Sequence, residues 1–120
     1  MLGFDLTKIL DSNVKRSAIM SALTPEGKTK RMVTEVLKKY KLWYFFPAAN
    51  GMGRAGIPDI ITIVDGGFVG IEVKADKTKK PTELQVRCGK EIQAAGGRWF
   101  LVFDEGSCAE LERYIQDKVM

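Results

Sequence analysis

The amino-acid sequence predicts an α/β fold in which a mixed central sheet is flanked by helices, and three observations predict it. Two runs dense in Ile, Val and Phe, residues 57–64 and 68–74, flank an Asp65-Gly66-Gly67 corner, the short-range signature of two antiparallel strands joined by a tight turn. Helix starts are written at Thr24-Pro25-Glu26 and at Thr82-Glu83-Leu84-Gln85. A strand, a helix and a further strand follow one another across residues 68–103, which implies a right-handed crossover with the last strand parallel to the second arm of the hairpin. The resulting order is α, three strands, α, β, α.

Residues 1–23 carry Phe4, Leu6, Ile9, Leu10, Val14, Ala18 and Ile19 at loosely helical spacing, with Lys15 and Arg16 between them. They read either as one or two short helices packing on the domain or on a partner subunit, or as a partly ordered arm. The first well-signalled helix opens at Thr24, an N-cap, with Pro25 suited to the first helical position and Glu26 at the positive end of the dipole. It runs to about Tyr40 on a stripe of Met32, Val33, Val36, Leu37 and Tyr40. At about 100° per residue, Glu26 projects near Val33 and Leu37, and Glu35 projects toward the stripe's edge. Glu26 is therefore the acid this helix aims at the sheet, although its place at a helix start explains an acid equally well.

Leu42-Trp43-Tyr44-Phe45-Phe46 reads as the first strand, ended by Pro47. Residues 50–56 form a glycine-rich connection with one arginine, Arg54, which either lies against a phosphate backbone or is a plain flexible loop. It matches neither a Walker loop nor a dinucleotide fingerprint, so no nucleotide cofactor is expected. Beyond the hairpin, Lys77, Lys79 and Lys80 make a basic loop placed for phosphate contact. The capping box from Thr82 to Gln85 opens a helix with Leu84, Cys88, Ile92 and Ala95 facing inward, and Gly96-Gly97 stops it. Residues 98–103 are the last strand. Ser107 with Glu110 caps a final helix whose Leu111, Tyr114 and Ile115 pack inward.

With 120 residues the chain suffices for one domain with a modest core, which assembly into a dimer would enlarge. No stretch approaches the roughly 18 to 20 apolar residues of a membrane span, and no secretion signal opens the sequence, so an intracellular, cytoplasmic protein without membrane contact is expected. The net charge of +4 is compatible with a polyanionic partner and equally with none. There is no histidine, and the two cysteines, Cys88 and Cys108, lie far apart; zinc sites, Ser/His/Asp triads and Cys/His nucleophile pairs are excluded. Any catalysis falls to carboxylates, lysine and metal.

Those groups gather at the open end of the hairpin. If Asp65 and Gly66 form the loop, Asp59 falls opposite Glu72; if Gly66 and Gly67 do, Asp59 falls opposite Lys74. Either register puts Asp59, Glu72 and Lys74 on one face, unless a bulge near the corner turns Asp59 away. Two readings follow: a solvated salt bridge, or a hard-cation site in which carboxylates hold Mg²⁺ and the lysine orients the attacking water.

Pro58-Asp59, followed thirteen residues on by Glu72-Val73-Lys74 and preceded by a helix glutamate, resembles the PD-(D/E)xK nuclease superfamily. Thr24-Pro25-Glu26-Gly27-Lys28, the loop at 50–56, Gly56-Ile57-Pro58-Asp59, Ile71-Glu72-Val73-Lys74, the stretch from Pro81 to Gln85 and Ala94-Ala95-Gly96-Gly97 are similar, more narrowly, to a stand-alone VRR-NUC domain of the kind often encoded by phages. The likeness covers about residues 24–103 and implies a restriction-endonuclease-like αβββαβ core within a single domain at 24–120, with 1–23 outside it. It implies that Asp59, Glu72 and the backbone carbonyl of Val73 hold Mg²⁺ or Mn²⁺, with Glu26 completing the acidic cluster directly or through water. Lys74 would position or activate the water, and Gln85 would match the glutamine that opens the following helix. Lys28, Arg54, Lys77, Lys79 and Lys80 are the residues placed to hold DNA.

The function expected is that of a metal-dependent endodeoxyribonuclease nicking branched DNA, above all four-way junctions, as a homodimer. A flap or replication-linked nuclease of the same superfamily and a non-catalytic DNA-binding module are the alternatives.

Overall fold

The computed structural model describes residues 24–48 and 53–120, so the expectations for residues 1–23 and for the middle of the glycine-rich loop lie outside the described residues. The elements are α1 (Pro25–Lys39), β1 (Tyr44–Phe45), β2 (Ile60–Val64), β3 (Gly67–Val73), α2 (Glu83–Ala94), β4 (Arg98–Val102) and α3 (Glu105–Val119). They form an α/β unit with one four-stranded mixed sheet in the order β1-β2-β3-β4 and three helices. The first three strands are antiparallel neighbours, and β4 runs parallel to β3, as the crossover through α2 requires.

Alternation along the strands sorts the sheet into two faces. Ile60 and Val64 of β2, Val69, Ile71 and Val73 of β3 and Val102 of β4 share one face, where they pack with Val33 and Leu37 of α1 and Leu111 and Ile115 of α3. The other face carries Gly70 and Trp99 and receives α2: a Cβ on Gly89 would lie 2.5 Å from the Trp99 ring, and one on Gly70 would meet Ile92. Thr24 caps α1 by accepting the Gly27 N–H at 2.9 Å.

Three expectations shift. The first strand pairs only at Tyr44 and Phe45, not across 42–46. Lys41 turns through a left-handed conformation (φ 56°) at the end of α1, and the Trp43 carbonyl accepts the Thr62 hydroxyl at 2.7 Å, a side-chain bond outside the ladder. On α2, Leu84 is exposed and Ala95 lies on the surface past the helix end; Cys88 and Gly89 are the residues buried. Seating Gly89 on the Trp99 indole rotates the helix so that Gln85 and Gly89 face the sheet together. On α3 the N-cap is Asp104 and not Ser107, which is the third helical residue and closes a capping box back onto Asp104.

The Gly89 approach yields an expected outcome. Gly89→Ala should destabilise the fold by about 1 to 3 kcal/mol despite the better helix propensity of alanine, because the indole or the whole helix must move. Thermal unfolding measures it.

Candidate active site

The site begins at the hairpin corner. Asp65 (φ 49°) and Gly66 (φ 79°) both take left-handed conformations, the pattern of a two-residue type I′ loop. The ladder runs without a bulge from Val64 opposite Gly67 to Ile60 opposite Ile71. One further step sets Asp59 against Glu72, the first of the two registers open from sequence.

Asp59 is tied to the facing strand, its Oδ2 accepting the Val73 N–H at 2.8 Å. Glu72 is buried, with only 1% of its surface exposed. Its Oε1 accepts from Gln85 Nε2 at 3.0 Å, and its Oε2 has no hydrogen-bond partner. Loss of hydration, and then the neighbouring Asp59 carboxylate, push the Glu72 carboxyl up to about 9 from an ordinary 4.5, with Lys74 pulling it back and Glu26 adding to the rise. A carboxyl in that setting needs a positive partner, which is either its own proton or a bound cation.

Packing holds these groups in place. Gly56 (φ 81°) brings the chain onto the start of α2, where any Cβ would lie 2.4 Å from the Leu84 carbonyl oxygen. Two residues on, the Pro58 ring rests against Gly70, at 2.7 Å from where a Cβ would stand, and so fixes the backbone entering Asp59. Gln85 does two jobs. Its Oε1 accepts the Thr82 N–H at 2.8 Å to close the capping box, which leaves the amide nitrogen aimed at Glu72. Gln85→Ala should therefore cost about 1 kcal/mol of stability through the lost cap and also free the Glu72 side chain. Chemical denaturation measures the first effect, and a changed Glu72 carboxyl titration followed by NMR measures the second.

No protein-family model and no curated protein matches the chain, so the assignment of this site stands on its residues and their geometry.

Asp59, Glu72 and Gln85 come together, and Lys74 follows directly where β3 ends, its backbone N–H held by the Val102 carbonyl at 2.9 Å. Among the described residues Lys74 makes no ion pair with either carboxylate, so the salt-bridge reading finds no direct contact. Glu26 is near enough to raise Glu72 but is exposed, and among the described residues no three acidic or thiol side chains converge on one point. Asp59 and Glu72 nevertheless suit a hard divalent cation: both offer carboxylate oxygens, and one buried oxygen lacks any donor.

The basic residues divide. Lys28, Lys77, Lys79 and Lys80 are exposed. The loop carrying the last three is shaped by Asp76, whose Oδ1 accepts the Thr78 N–H at 2.7 Å and the Thr78 hydroxyl. Arg54 is already paired with Glu91 of α2, at 2.5 Å. Sequence reasoning missed Lys30 and Phe46, which stand close together beside Asp59; the signal available was a lysine one turn after Glu26 and an aromatic at the end of the first strand.

Proposed function

We propose that this protein is a Mg²⁺- or Mn²⁺-dependent endodeoxyribonuclease of the PD-(D/E)xK superfamily, of the stand-alone VRR-NUC type, that nicks branched DNA. The observation carrying the reading is the buried Glu72 carboxylate, half unpartnered and set across the ladder from Asp59, with Lys74 two residues on. The αβββαβ order and the sheet order β1-β2-β3-β4 support a restriction-endonuclease-like core.

Asp59 and Glu72 would hold the metal, with the Val73 carbonyl as a further ligand and Glu26 acting through water. When bound, the metal supplies charge neutralisation at the phosphate and acidifies the attacking water. The chain's own residues do the rest. The Val73 N–H and the Gln85 amide fix the rotamers of Asp59 and Glu72. Lys74 orients the water and exchanges a proton with it. The exposed Lys28, Lys77, Lys79 and Lys80 hold the sugar-phosphate backbone without reading sequence. Lys74→Ala is expected to lower single-turnover cleavage by about 10²-fold or more while leaving metal binding unchanged, and full retained cleavage would remove Lys74 from the mechanism.

A two-fold junction needs paired cuts, and we assign a homodimer to it. An apolar strip supports this: Trp43, Phe45, Ile63 and Phe68 share the sheet face that α2 leaves open, and each is between 44% and 62% exposed. Sedimentation should give a dimer that Phe68→Glu dissociates. Cleavage of a four-way junction, a flap, a nicked duplex and a plain duplex, with Asp59→Ala as control, tests the whole reading. Preference for the flap would point to a flap nuclease, and salt-sensitive binding without cleavage would leave only a DNA-binding module.

A further inference from the structure

Beside the carboxylates lies a cleft of about 630 Å³, walled by Lys30 of α1, Phe46 after β1, and Arg54, Pro58 and Asp59 of the segment leading into β2. Its size is in the range that takes one ligand of small-molecule dimensions, roughly 300 to 1,000 Å³. Phe46 is 47% exposed. Its ring is steadied by an edge contact with Tyr44 (centroids 5.8 Å apart, planes at 71°), and Tyr44 itself packs on the core.

The Lys30 ammonium stands 4.3 Å from the Phe46 ring centroid and has no acidic partner among the described residues. Arg54 and Arg87 share the single carboxylate of Glu91, at 2.5 and 3.6 Å, so this group keeps a net positive charge and Arg54 keeps donors to spare. A half-exposed aromatic ring with Lys30 over it and Arg54 elsewhere on the wall of the same cleft is a combination that stacks a base and grips its phosphates.

We propose that the cleft holds one unpaired nucleotide adjoining the phosphate to be cut, its base on Phe46 and its phosphates on Lys30 and Arg54. The inference rests on the nuclease reading only for the position of that phosphate at Asp59 and Glu72. Bases inside a duplex are stacked on both faces and have no face free for the Phe46 ring, whereas an unpaired nucleotide has. Because every base has a π-face, the cleft senses strand opening and not sequence. The protein then selects branched or gapped DNA over intact duplex through Phe46.

The test compares a duplex carrying a short single-stranded gap with 2-aminopurine in it against the same duplex closed, bound in Ca²⁺ to full-length protein. Wild type should favour the gapped DNA and change the 2-aminopurine emission. Phe46→Ala should lose about tenfold in affinity for the gapped DNA and nothing for the closed duplex, and Phe46→Trp should restore it. Lys30→Ala should weaken gapped binding as well, which keeps the proposal testable if Phe46→Ala does not fold. Equal affinity of wild type for both DNAs, or of Phe46→Ala and wild type for the gapped one, overturns it. A Phe46-dependent gap binder that cuts nothing in Mg²⁺ would refute the nuclease reading and keep the cleft; a nuclease indifferent to Phe46→Ala would do the reverse.

Discussion

Glu72→Gln should abolish Mg²⁺-dependent cleavage, by on the order of 10⁴-fold, in a protein at least as stable as the metal-free wild type at pH 8. The two changes go in opposite directions for one reason. A glutamine keeps the shape of Glu72 and an oxygen for the Gln85 amide to bond, and it puts an N–H where Oε2 now has no partner, facing the Asp59 carboxylate. The cost of keeping a buried carboxyl protonated at pH 8 goes, and so does the anionic oxygen that a hard cation requires. A carboxylate retained only for structure would lose stability when neutralised or change nothing. Full cleavage by Glu72→Gln, or a fall of several kcal/mol in its stability, would refute the assignment. Asp59→Asn should match it in lost cleavage, since the same cation needs both oxygens.

How much of this was legible in the sequence follows from how local each cause is. The Asp65-Gly66 loop sets the hairpin register, because both residues must adopt positive φ and the side-chain period of two then carries Asp59 to the position opposite Glu72. Thr24 and the Thr82-Gln85 box are equally local, and both caps form. The cap of α3 is local as well, yet the sequence pointed to Ser107 in place of Asp104: the two compete for the same role, and only the backbone shows Asp104 in the extended conformation of an N-cap. What the sequence hid depends on contacts between distant segments. The rotation of α2 is decided by Gly89 meeting Trp99, and the Arg54–Glu91 pair joins a loop to a helix. Lys30 over Phe46 is of the same kind, with neither residue distinctive alone. The second function of Gln85 belongs here as well: the capping signal accounted for one end of its amide, and only the fold brings Glu72 to the other.

The melting temperature of metal-free protein should fall as pH rises from about 5 to 9, and Mg²⁺ should restore more of it at high pH than at low. Glu72 in the fold holds its proton to about 9, against an ordinary 4.5. Its folded pKa is raised, so the stability it confers is complete below the unfolded value and is lost as pH climbs toward the folded one. The slope approaches about 1.4 kcal/mol per pH unit between the two values, which is several degrees of melting temperature per unit. Asp104, Asp76 and Glu112 are held low by hydrogen bonds from Ser107, from Thr78 and from Lys39 and Tyr40, so their contributions fade only as pH falls into the acid range. Cys108, pushed up to about 11 by burial, adds its own decline only above about 9. Metal and proton compete for the same carboxyl, so cation binding releases the proton and is stronger where the proton is already loosely held. At a hundredfold excess over its dissociation constant the cation contributes about 2.7 kcal/mol. Differential scanning calorimetry across this range, with and without Mg²⁺, checks both slopes, and Glu72→Gln should flatten them together. A Glu72→Gln protein that kept the pH slope would place the titrating group elsewhere, and one that kept the Mg²⁺ response would move the metal site.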